Sequence, residues 1–396
     1  MSFIGLDLGT SAIKGVCWDA ASGIRRTVNE AVALDYPAPA HVEIDPLRYE
    51  AQVIRIMRYL AEASDGPVGG MAFAAASGNT LLCDTEGTPR TPIISWLDKR
   101  LTDWMPPAEW SIRATCGWPA IRTFPLMHLE DFRRTAPELL RTSVVSMNNC
   151  WLTWRLCGTH ALDYSNATPF YLVDQTSRRY ASYLDYYGLT VNQMPALVNP
   201  GTLIGTLRPE LCAGQLTSST KVVGGSFDHP AAARSAGIDE PGVLLLSCGT
   251  SWVGFYAARQ RCDIPEKDLC DCYESATGGC WGGMFSVAEI GRELAAFVLA
   301  HYGDAPDNYR QFNEDALKAG TESRAVLLRI IDRFREKFVC HPGMTRLVLC
   351  GGPSEGKAVP QLLESILGLP VTVSPYRSYA GAVGAAMLAN HHEHSY

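Results

Sequence analysis

The stretch FIGLDLGTSAIKGVCWD spans residues 3–19 near the amino terminus. Two apolar runs rich in β-forming residues flank a short Gly-Thr-Ser turn, which is the pattern of a β-hairpin. The turn gathers backbone N–H groups, the hydroxyls of Thr10 and Ser11 and the carboxylate of Asp7. Such a cluster suits a phosphate with its Mg²⁺, since amides and hydroxyls donate to phosphate oxygens while a carboxylate holds the metal or its water. An ordinary hairpin with a surface aspartate fits the same residues equally well.

A second hairpin pattern lies about 240 residues further along the chain. The stretch GVLLLSCGTSWVGFYAA, residues 242–258, again places a Gly-Thr-Ser turn between two apolar strands. An internal echo of this kind indicates two lobes of similar fold. If each lobe offers its turn to a shared cleft, the two turns would hold a polyphosphate from both sides.

A third glycine turn occurs in RLVLCGGPSEGKAVPQLLESILGLPV, residues 346–371. A strand ending at Cys350 runs into Gly351 and Gly352 and then into a helix, an arrangement that lets a nucleotide approach the backbone near a helix start. Glycine turns are common for purely conformational reasons, so one alone is weak support. Three of them in this order favour a nucleotide-binding protein.

Composition narrows the class of protein. A chain of 396 residues fits two domains of roughly 150–200 residues, and 47% hydrophobic with 19% charged residues is typical of a soluble globular protein. The net charge of −7 and the absence of a long Lys/Arg run argue against nucleic acid or an anionic membrane as main partner. No signal peptide or membrane-spanning run is visible, so we expect a cytoplasmic location.

Cysteine usage points to reduced thiols. The 13 cysteines are an odd number scattered through apparent strands and helices, which is typical of buried, reduced side chains. One cluster comprises Cys262, Cys270, Cys272 and Cys280. Its spacing matches no familiar zinc site, so coincidence is favoured over a metal centre.

The remaining pattern predicts the order strands, helix, strands. Residues 45–63 read as a helix, with Asp45 as cap and Pro46 in the first turn. Residues 69–78 and 80–89 read as strands, and residues 106–219 as a helical, loop-rich insertion. Sheet-like sequence returns at TKVVGGSFDHP, residues 220–230, and a helix of small residues follows it.

The chain resembles the FGGY carbohydrate kinases over nearly its whole length, and among them the xylulokinase-type sugar kinases. The motifs that carry this resemblance are IGLDLGTSAIKG, HVEIDPLRYE, TLLCDTEGTPRTPIISWLDKR, DYSNAT, NQMPALVNPG, VVGGSFDHPAAARSAG, LLLSCGTS and LVLCGGPSEGKAVPQLLESILGLPV. The resemblance implies a two-lobed α/β fold of the actin, Hsp70 and hexokinase type, which is ribonuclease H-like, with a cleft between the lobes. It also implies a sugar-binding lobe over residues 1–240 and a shortened nucleotide-binding lobe over residues 241–396.

The activity that the resemblance implies is transfer of a phosphoryl group from ATP, with Mg²⁺, to a hydroxyl of a ketose or polyol. A xylulose-like sugar and its terminal primary hydroxyl are favoured, while a heptulose, glycerol or a cyclitol stays open as acceptor. An actin-like or Hsp70-like ATPase and a non-catalytic nucleotide-binding scaffold are the alternatives of another class. The expected partner is a small molecule, and a homodimer is left open.

The resemblance also implies roles for single residues. Asp228 matches the catalytic base, and phosphoryl transfer does need a group that takes the hydroxyl proton; a helix N-cap is the alternative. Asp7 would hold Mg²⁺. The ATP phosphates and adenosine would meet Thr10, Ser11, Lys14, Gly249, Thr250, Ser251, Gly351, Gly352 and Ser354. For Lys14, a solvated face is the alternative.

The resemblance also implies sugar contacts for Trp96 and Asp98 of the SWLDKR stretch, together with Asp228 and its neighbour His229. An indole ring covers C–H surface and a carboxylate accepts hydroxyl donors, although Trp96 also fits a core position. Two further sugar-site positions, Ala76 and Ser77, fall where xylulokinases have a Met-His pair.

This sequence departs from the family pattern near the acceptor. Ser77 replaces a histidine, His229 stands where many relatives have Asn, and Leu126 and Leu129 replace a Lys and a Trp. About 100 residues separate LSCGTS from LVLCGG, which makes the second lobe short. These changes leave the ATP residues intact, so the kinase chemistry is a firmer expectation than xylulose as substrate.

Overall fold

The computed structural model describes residues 1–120, 124–249, 251–273, 281–341 and 343–393, without the side chains of residues 392 and 393. Contacts divide the chain into two compact units. Unit 1 comprises Met1–Ala231, Cys270–Cys272 and Gly381–Tyr396, and unit 2 comprises Ala232–Leu269 and Tyr273–Ala380. The sequence predicted a division between residues 240 and 241. That division does not assign the two later segments to unit 1.

The strands are short to medium in length. In chain order they are β1 Ser2–Leu8, β2 Ala12–Asp19, β3 Gly23–Ala31, β4 Glu43–Ile44, β5 Gly70–Ala75, β6 Leu81–Cys83, β7 Ile93–Ile94, β8 Val144–Ser146, β9 Ala161–Asp163, β10 Val173–Asp174, β11 Arg179–Tyr180, β12 Ala196–Val198, β13 Leu203–Thr206, β14 Lys221–Val223, β15 Ser226–Phe227, β16 Val243–Cys248, β17 Trp252–Ala258, β18 Leu269–Asp271, β19 Trp281–Val287, β20 Arg346–Cys350 and β21 Val371–Val373.

The helices follow the same numbering scheme. They are α1 Pro46–Ala61, α2 Ile112–Cys116, α3 Phe124–Thr135, α4 Pro137–Arg141, α5 Asn148–Cys157, α6 Tyr164–Phe170, α7 Asp228–Ser235, α8 Ile290–Tyr302, α9 Asn308–Ala316, α10 Glu322–Phe338, α11 Ala358–Leu367 and α12 Ala380–Glu393. No helix among the described residues is both long and apolar enough to cross a lipid bilayer.

The main sheet of unit 1 has the order β13-β14-β5-β1-β2-β3, with β15 also paired to β5. The predicted first hairpin is confirmed, since β1 and β2 pair antiparallel with Asp7 opposite Lys14. Strand β5 runs parallel to both β1 and β15, so that Ala75 lies opposite Leu8 on one side and Phe227 on the other. These three strands therefore end at the same edge of the sheet.

The sheet of unit 2 repeats this arrangement in β19-β17-β16-β20-β21. Strands β16 and β17 form the predicted second hairpin, β19 pairs antiparallel with β17, and β20 runs parallel to β16. The first unit has the same sequence of pairings in β3-β2-β1-β5-β14. The internal echo of the two Gly-Thr-Ser hairpins thus corresponds to a repeated sheet.

Helix α1 shows how the hydrophobic pattern specifies the core of unit 1. Asp45 caps the helix by accepting a hydrogen bond from the Arg48 amide at 2.8 Å, as predicted. The apolar residues at helical spacing, Tyr49, Val53, Ile56, Met57 and Leu60, are all buried in the core cluster. A separate cluster under β16, β17, β19 and β20 forms the core of unit 2.

The insertion between residues 106 and 219 is helical and loop-rich, as predicted, but it also contains short strands. Strand β13 adds an antiparallel edge to the main sheet through β14, and β9 pairs parallel with β12. Strands of two to four residues carry too little alternation to be found by periodicity. Their pairing depends on tertiary contacts instead.

Helix α12 packs against β1 with almost no space between the backbones. A Cβ atom at Gly5 would collide with the carbonyl oxygen of Ala382, and one at Gly384 would collide with the carbonyl oxygen of Ala231. The small residues of this helix permit this close approach. The carboxyl-terminal helix thereby becomes part of the core of unit 1.

We expect Gly5→Ala to lower the free energy of unfolding by about 1–3 kcal/mol, because the added methyl group overpacks the β1–α12 contact. Chemical denaturation followed by circular dichroism measures the change. Gly66→Ala is the matched control, since a Cβ atom there meets nothing within 4 Å. A Gly5→Ala variant as stable as Gly66→Ala would contradict the packing argument.

Candidate active site

Acidic and polar side chains collect at the edge of the unit 1 sheet where β1, β5 and β15 end. Asp7 lies one residue before the end of β1, Ala76 and Ser77 follow β5, and Asp228 follows β15. Because the three strands are parallel, their carboxyl ends bring residues that are far apart in sequence to one place. The structure thus brings together the predicted metal ligand, the predicted base and two predicted sugar-site positions.

Asp7 is a strongly perturbed acid at this edge. The pKa of the Asp7 carboxyl is raised to about 7, chiefly by burial and also by the negative charge of Asp228, while the opposite charge of Lys14 lowers it. Lys14 is the cross-strand partner of Asp7, so its ammonium group acts on the carboxylate from the neighbouring strand. This location supports a role for the Lys14 charge in the site over a purely solvated face.

Asp228 is half-buried, with 26% of its side chain exposed. Burial raises the pKa of its carboxyl, while the nearby His229 lowers it. Its Oδ1 accepts a hydrogen bond from the His229 amide at 2.7 Å, and the His229 Nε2 lies 3.8 Å away. An N-cap side chain accepts from the second or third residue of the helix instead, so this bond does not support the N-cap alternative.

Trp96 connects the predicted sugar site to the first Gly-Thr-Ser turn. Its indole Nε1 donates to the Thr10 Oγ1 at 2.7 Å, its amide donates to the Asn79 Oδ1 at 2.9 Å, and its ring meets the edge of Phe124. Because the Thr10 oxygen accepts this bond, the Thr10 hydroxyl proton stays available to donate. The neighbouring Ser11 is exposed.

Ser77 has a defined partner in the buried interior. Its hydroxyl donates to the Asn166 Oδ1, and the side chain is 5% exposed. A serine hydroxyl has one proton, so Ser77 can offer a ligand only its oxygen lone pairs. Ala76, the preceding residue, is partly exposed and adds no polar group.

Asp98 is enclosed in an ion pair. Its carboxylate accepts from the Val42 amide at 2.8 Å and from the Arg100 amide and guanidinium at 2.8–2.9 Å, and its side chain has no exposed area. Burial raises the pKa of the Asp98 carboxyl, but the hydrogen bonds from Arg100 outweigh it and hold the pKa below its usual range. This arrangement does not support the predicted contact of Asp98 with a polyol, because both carboxylate oxygens already accept hydrogen bonds from Val42 and Arg100. The Asp-x-Arg spacing was the signal for such a pair.

In unit 2, the second Gly-Thr-Ser turn and the double-glycine turn lie at one sheet edge. Ser247 of β16 lies opposite Cys350 of β20, so Gly249 and Ser251 follow one strand where Gly351 follows the other. Thr250, the middle residue of the turn, lies outside the described residues.

The double-glycine turn requires its first glycine. Gly351 has a φ of 91°, and a Cβ atom there would collide with the Cys248 carbonyl oxygen. The buried Ser354 hydroxyl donates to the Gly351 carbonyl oxygen at 2.6 Å and so braces the turn. Gly352, in contrast, is exposed, and a Cβ atom there meets nothing within 4 Å.

A cavity of about 740 Å³ opens beside Gly352 in unit 2. Its lining combines residues of α9 and the double-glycine turn: Tyr309, Arg310, Asn313, Glu314, Leu317, Gly352, Pro353, Glu355, Gly356 and Lys357. Asn313 is held between the Ala358 amide and the Tyr309 carbonyl oxygen. The sequence predicted the glycine side of this cavity but not the side formed by α9. The pattern of an amphipathic helix does not reveal which cavity its polar face lines.

The sequence favoured coincidence over a metal centre for the cysteine cluster at residues 262–280. Among the residues that the structure describes, no three His, Cys, Asp or Glu side chains form a group that could hold a metal ion. Cys262 is exposed while Cys270 and Cys272 are buried, and Cys280 lies outside the described residues.

The raised pKa of Asp7 predicts a pH-dependent stability. An unfolded aspartate ionises near pH ~4, whereas folded Asp7 ionises at about pH 7, so the folded state binds the extra proton between these values. The wild type should therefore lose stability relative to Asp7→Asn as pH rises through this window. Urea denaturation midpoints at about pH 4.5 and about pH 8 test this. Asp45→Asn is the control, and an Asp7→Asn difference that does not grow with pH would refute the assignment.

Solved structures share this fold. A xylulose kinase from Brucella ovis superposes with a TM-score of 0.84 at 23% identity, covering 100% of this chain and 91% of that one. A glycerol kinase from Plasmodium falciparum, solved with ADP, gives a TM-score of 0.84 at 16% identity over 100% and 90% of the two chains. At these identities the likeness shows the fold, and it confirms the predicted α/β fold class.

Sequence relatives point the same way. The xylulose kinase of Escherichia coli K12 is 27% identical over 271 residues, which cover 67% of this chain and 56% of the relative. The chain thus spans just over half the length of the curated relatives it matches. The model of the FGGY family of carbohydrate kinases, N-terminal domain, matches residues 2–234, more than half of the chain. The chain therefore belongs to the FGGY family of carbohydrate kinases.

Proposed function

We propose that the protein is an ATP-dependent kinase that phosphorylates a hydroxyl of a ketose or polyol, with a xylulose-like sugar favoured. The observation that carries this proposal is the convergence of Asp7 and Asp228 at one sheet edge, close enough for the charge of Asp228 to raise the pKa of Asp7. Family membership and the xylulose kinase relatives add support.

In this proposal Asp228 is the general base. Its carboxyl is partly exposed, so an acceptor hydroxyl can reach it, and burial raises its pKa above that of an ordinary aspartate. A base whose pKa approaches ambient pH accepts a proton more effectively in the transition state, an effect of roughly 10²–10⁴ in rate. The hydroxyl oxygen would then attack the γ-phosphorus of ATP while Asp228 takes its proton, and the bond from the γ-phosphorus to the β,γ-bridging oxygen would break to release ADP.

Asp7 fits a site for Mg²⁺. Two carboxylates that repel each other in a partly dehydrated place favour a hard dication with oxygen ligands, and the Thr10 hydroxyl has a proton to donate to phosphate nearby. When bound, the ion would neutralise charge on the phosphates. Asp7 would hold the ion or its water, and Lys14 would add a positive charge on the next strand.

For ATP, the proposed ligands of unit 1 are Thr10, Ser11 and Lys14. Those of unit 2 are Gly249, Thr250 and Ser251 for phosphate, with Gly351, Gly352 and Ser354 near adenosine. The cavity of about 740 Å³ beside Gly352 is within the size range of small-molecule sites and suits an adenosine group. The buried Ser354 hydroxyl is already bound to Gly351, so its role would be to shape the turn.

For the acceptor, we propose contacts with Trp96, Ala76, Ser77 and His229. The Asp98 carboxylate would act through Arg100 and the Val42 amide, by holding the loop that carries Trp96. Ser77 offers only lone pairs, so it would accept a hydrogen bond from a sugar hydroxyl. A heptulose, glycerol or a cyclitol stays an alternative acceptor, and a homodimer and a cytoplasmic location stay predictions.

Asp228→Ala should abolish phosphorylation while leaving ATP affinity nearly unchanged, because it removes the proton acceptor and no proposed nucleotide ligand. An ADP-release assay over ketoses, polyols and cyclitols identifies the acceptor first, and calorimetry with ATP measures affinity. The expected loss of kcat is at least about 100-fold.

Asp185→Ala is the matched control and should keep most of the activity, since it removes an exposed carboxyl of the same unit that has no proposed role. An active Asp228→Ala enzyme would overturn the base assignment. ATP hydrolysis at the same rate with every acceptor and with none would instead favour an ATPase.

Gly352→Leu should raise the dissociation constant for ATP at least about 10-fold, because the new side chain would occupy the cavity proposed for adenosine. The substitution has open space, so the melting temperature should hardly change. Gly66→Leu, also in open space, is the control. Wild-type ATP affinity in Gly352→Leu, measured by calorimetry, would exclude this cavity as the nucleotide site.

A further inference from the structure

The DYSNAT motif, residues 163–168, forms the first turn of α6 and has no role in the chemistry proposed above. Asp163 caps this helix, since its Oδ1 accepts from the Asn166 amide at 2.8 Å. The Asp163 Oδ2 accepts from the Asn166 side-chain amide at 2.7 Å, which fixes the orientation of that side chain. The motif is therefore a rigid, buried turn.

Ser165 makes two different hydrogen bonds from this turn. Its hydroxyl donates to the Asp271 carboxyl, at 3.0 Å and 3.2 Å from the two oxygens. The same hydroxyl oxygen accepts the amide N–H of Phe227 at 3.1 Å. Ser165 is 1% exposed and Asp271 is fully buried, so water does not compete for these bonds.

The donor and acceptor roles in these two hydrogen bonds follow from the single proton of a serine hydroxyl. Ser165 uses that proton in its hydrogen bond to Asp271. An oxygen lone pair of Ser165 therefore faces the amide of Phe227. Phe227 is the last residue of β15 and directly precedes Asp228. The bond to Asp271 thus determines how the backbone is held one residue before the proposed base.

The same turn also holds the end of β5. Asn166, oriented by Asp163, accepts the hydroxyl proton of Ser77, two residues after β5 ends. The first turn of α6 therefore fastens both strand ends that carry proposed site residues.

We propose that Ser165, oriented by the Asp271 carboxyl, is a positioning residue that holds the Phe227–Asp228 backbone in place for proton transfer. The inference rests on the proposed kinase function, because it assigns Ser165 a part in that reaction. In this proposal both side chains are buried and neither one contacts the acceptor. A displacement of about 1 Å at a reacting group can cost on the order of 100-fold in rate, so a remote hydrogen bond can matter this much.

Ser165→Ala tests the proposal, with Thr168→Val as matched control. Thr168 belongs to the same turn region of α6, is fully buried and uses its hydroxyl to accept from the Gln175 side chain at 2.7 Å. Both variants remove one buried hydroxyl from one helix, but only Ser165 contacts the backbone before Asp228. A general loss of packing would affect both variants alike.

We expect Ser165→Ala to lower kcat at least about 10-fold with KM for ATP changed by less than about 2-fold, and Thr168→Val to keep kcat within about 2-fold. Asp271→Asn keeps an oxygen that accepts the Ser165 proton, so it should keep kcat within about 3-fold. A Ser165→Ala enzyme with wild-type kcat overturns the proposal, as does an equal loss in Thr168→Val.

Amide hydrogen exchange of residues 225–229, followed by mass spectrometry, tests the contact without any assay of activity. Ser165→Ala should exchange faster in this segment than the wild type, and Thr168→Val should not. If the wild type phosphorylates no acceptor but this difference is present, the kinase function fails while the hydrogen bond to Phe227 stands. If exchange in Ser165→Ala is unchanged, the positioning role fails whatever the activity of the wild type.

Discussion

The parallel pairing of β5 with both β1 and β15 is the constraint on which the site of unit 1 depends. It brings Asp7 and Asp228, which are more than two hundred residues apart in sequence, to one edge of one sheet. Parallel strands need long connections between them, and here the connection between β5 and β15 contains the whole insertion. The insertion in turn supplies the turn of α6 that holds the two strand ends.

Keeping two acids in this place opposes folding, and the close packing of helix α12 contributes to that cost. Helix α12 approaches Asp7 so closely that a Cβ atom at Gly381 would lie 2.8 Å from the Asp7 Oδ2. The small residues of this helix, which come from the end of the described chain, exclude water from one side of the carboxyl. Exclusion of water is what raises the pKa of Asp7, and a raised pKa at a sheet edge is typical of functional sites.

Sequence reasoning predicted the elements whose signals are local. Both hairpins, the capped helix α1 and the glycine at residue 351 follow from turn chemistry and helical spacing. It assigned Asp98 to the sugar from the family resemblance, whereas the structure encloses that carboxylate in an ion pair with Arg100. It could not find the bond between Ser165 and Asp271, since those residues are 106 positions apart and nothing local relates them. Tertiary proximity of polar groups is the part that periodicity does not encode.

The repeated sheet shows why one unit is proposed for acid chemistry and the other for the nucleotide. Asp7 in LDLGTS corresponds to Ser247 in LSCGTS, so the second hairpin repeats the turn without its carboxylate. In each unit, one strand pairs in parallel with the first strand of the hairpin. In unit 1 this strand is β5, which leads into Ala76 and Ser77, and in unit 2 it is β20, which leads into Gly351 and Gly352. An acidic edge suits a metal ion and a proton acceptor, while a glycine-lined edge lets a flat, neutral ring approach the backbone. The same strand order therefore suits the two proposed binding roles, and the difference between them lies in a few residues at the strand ends.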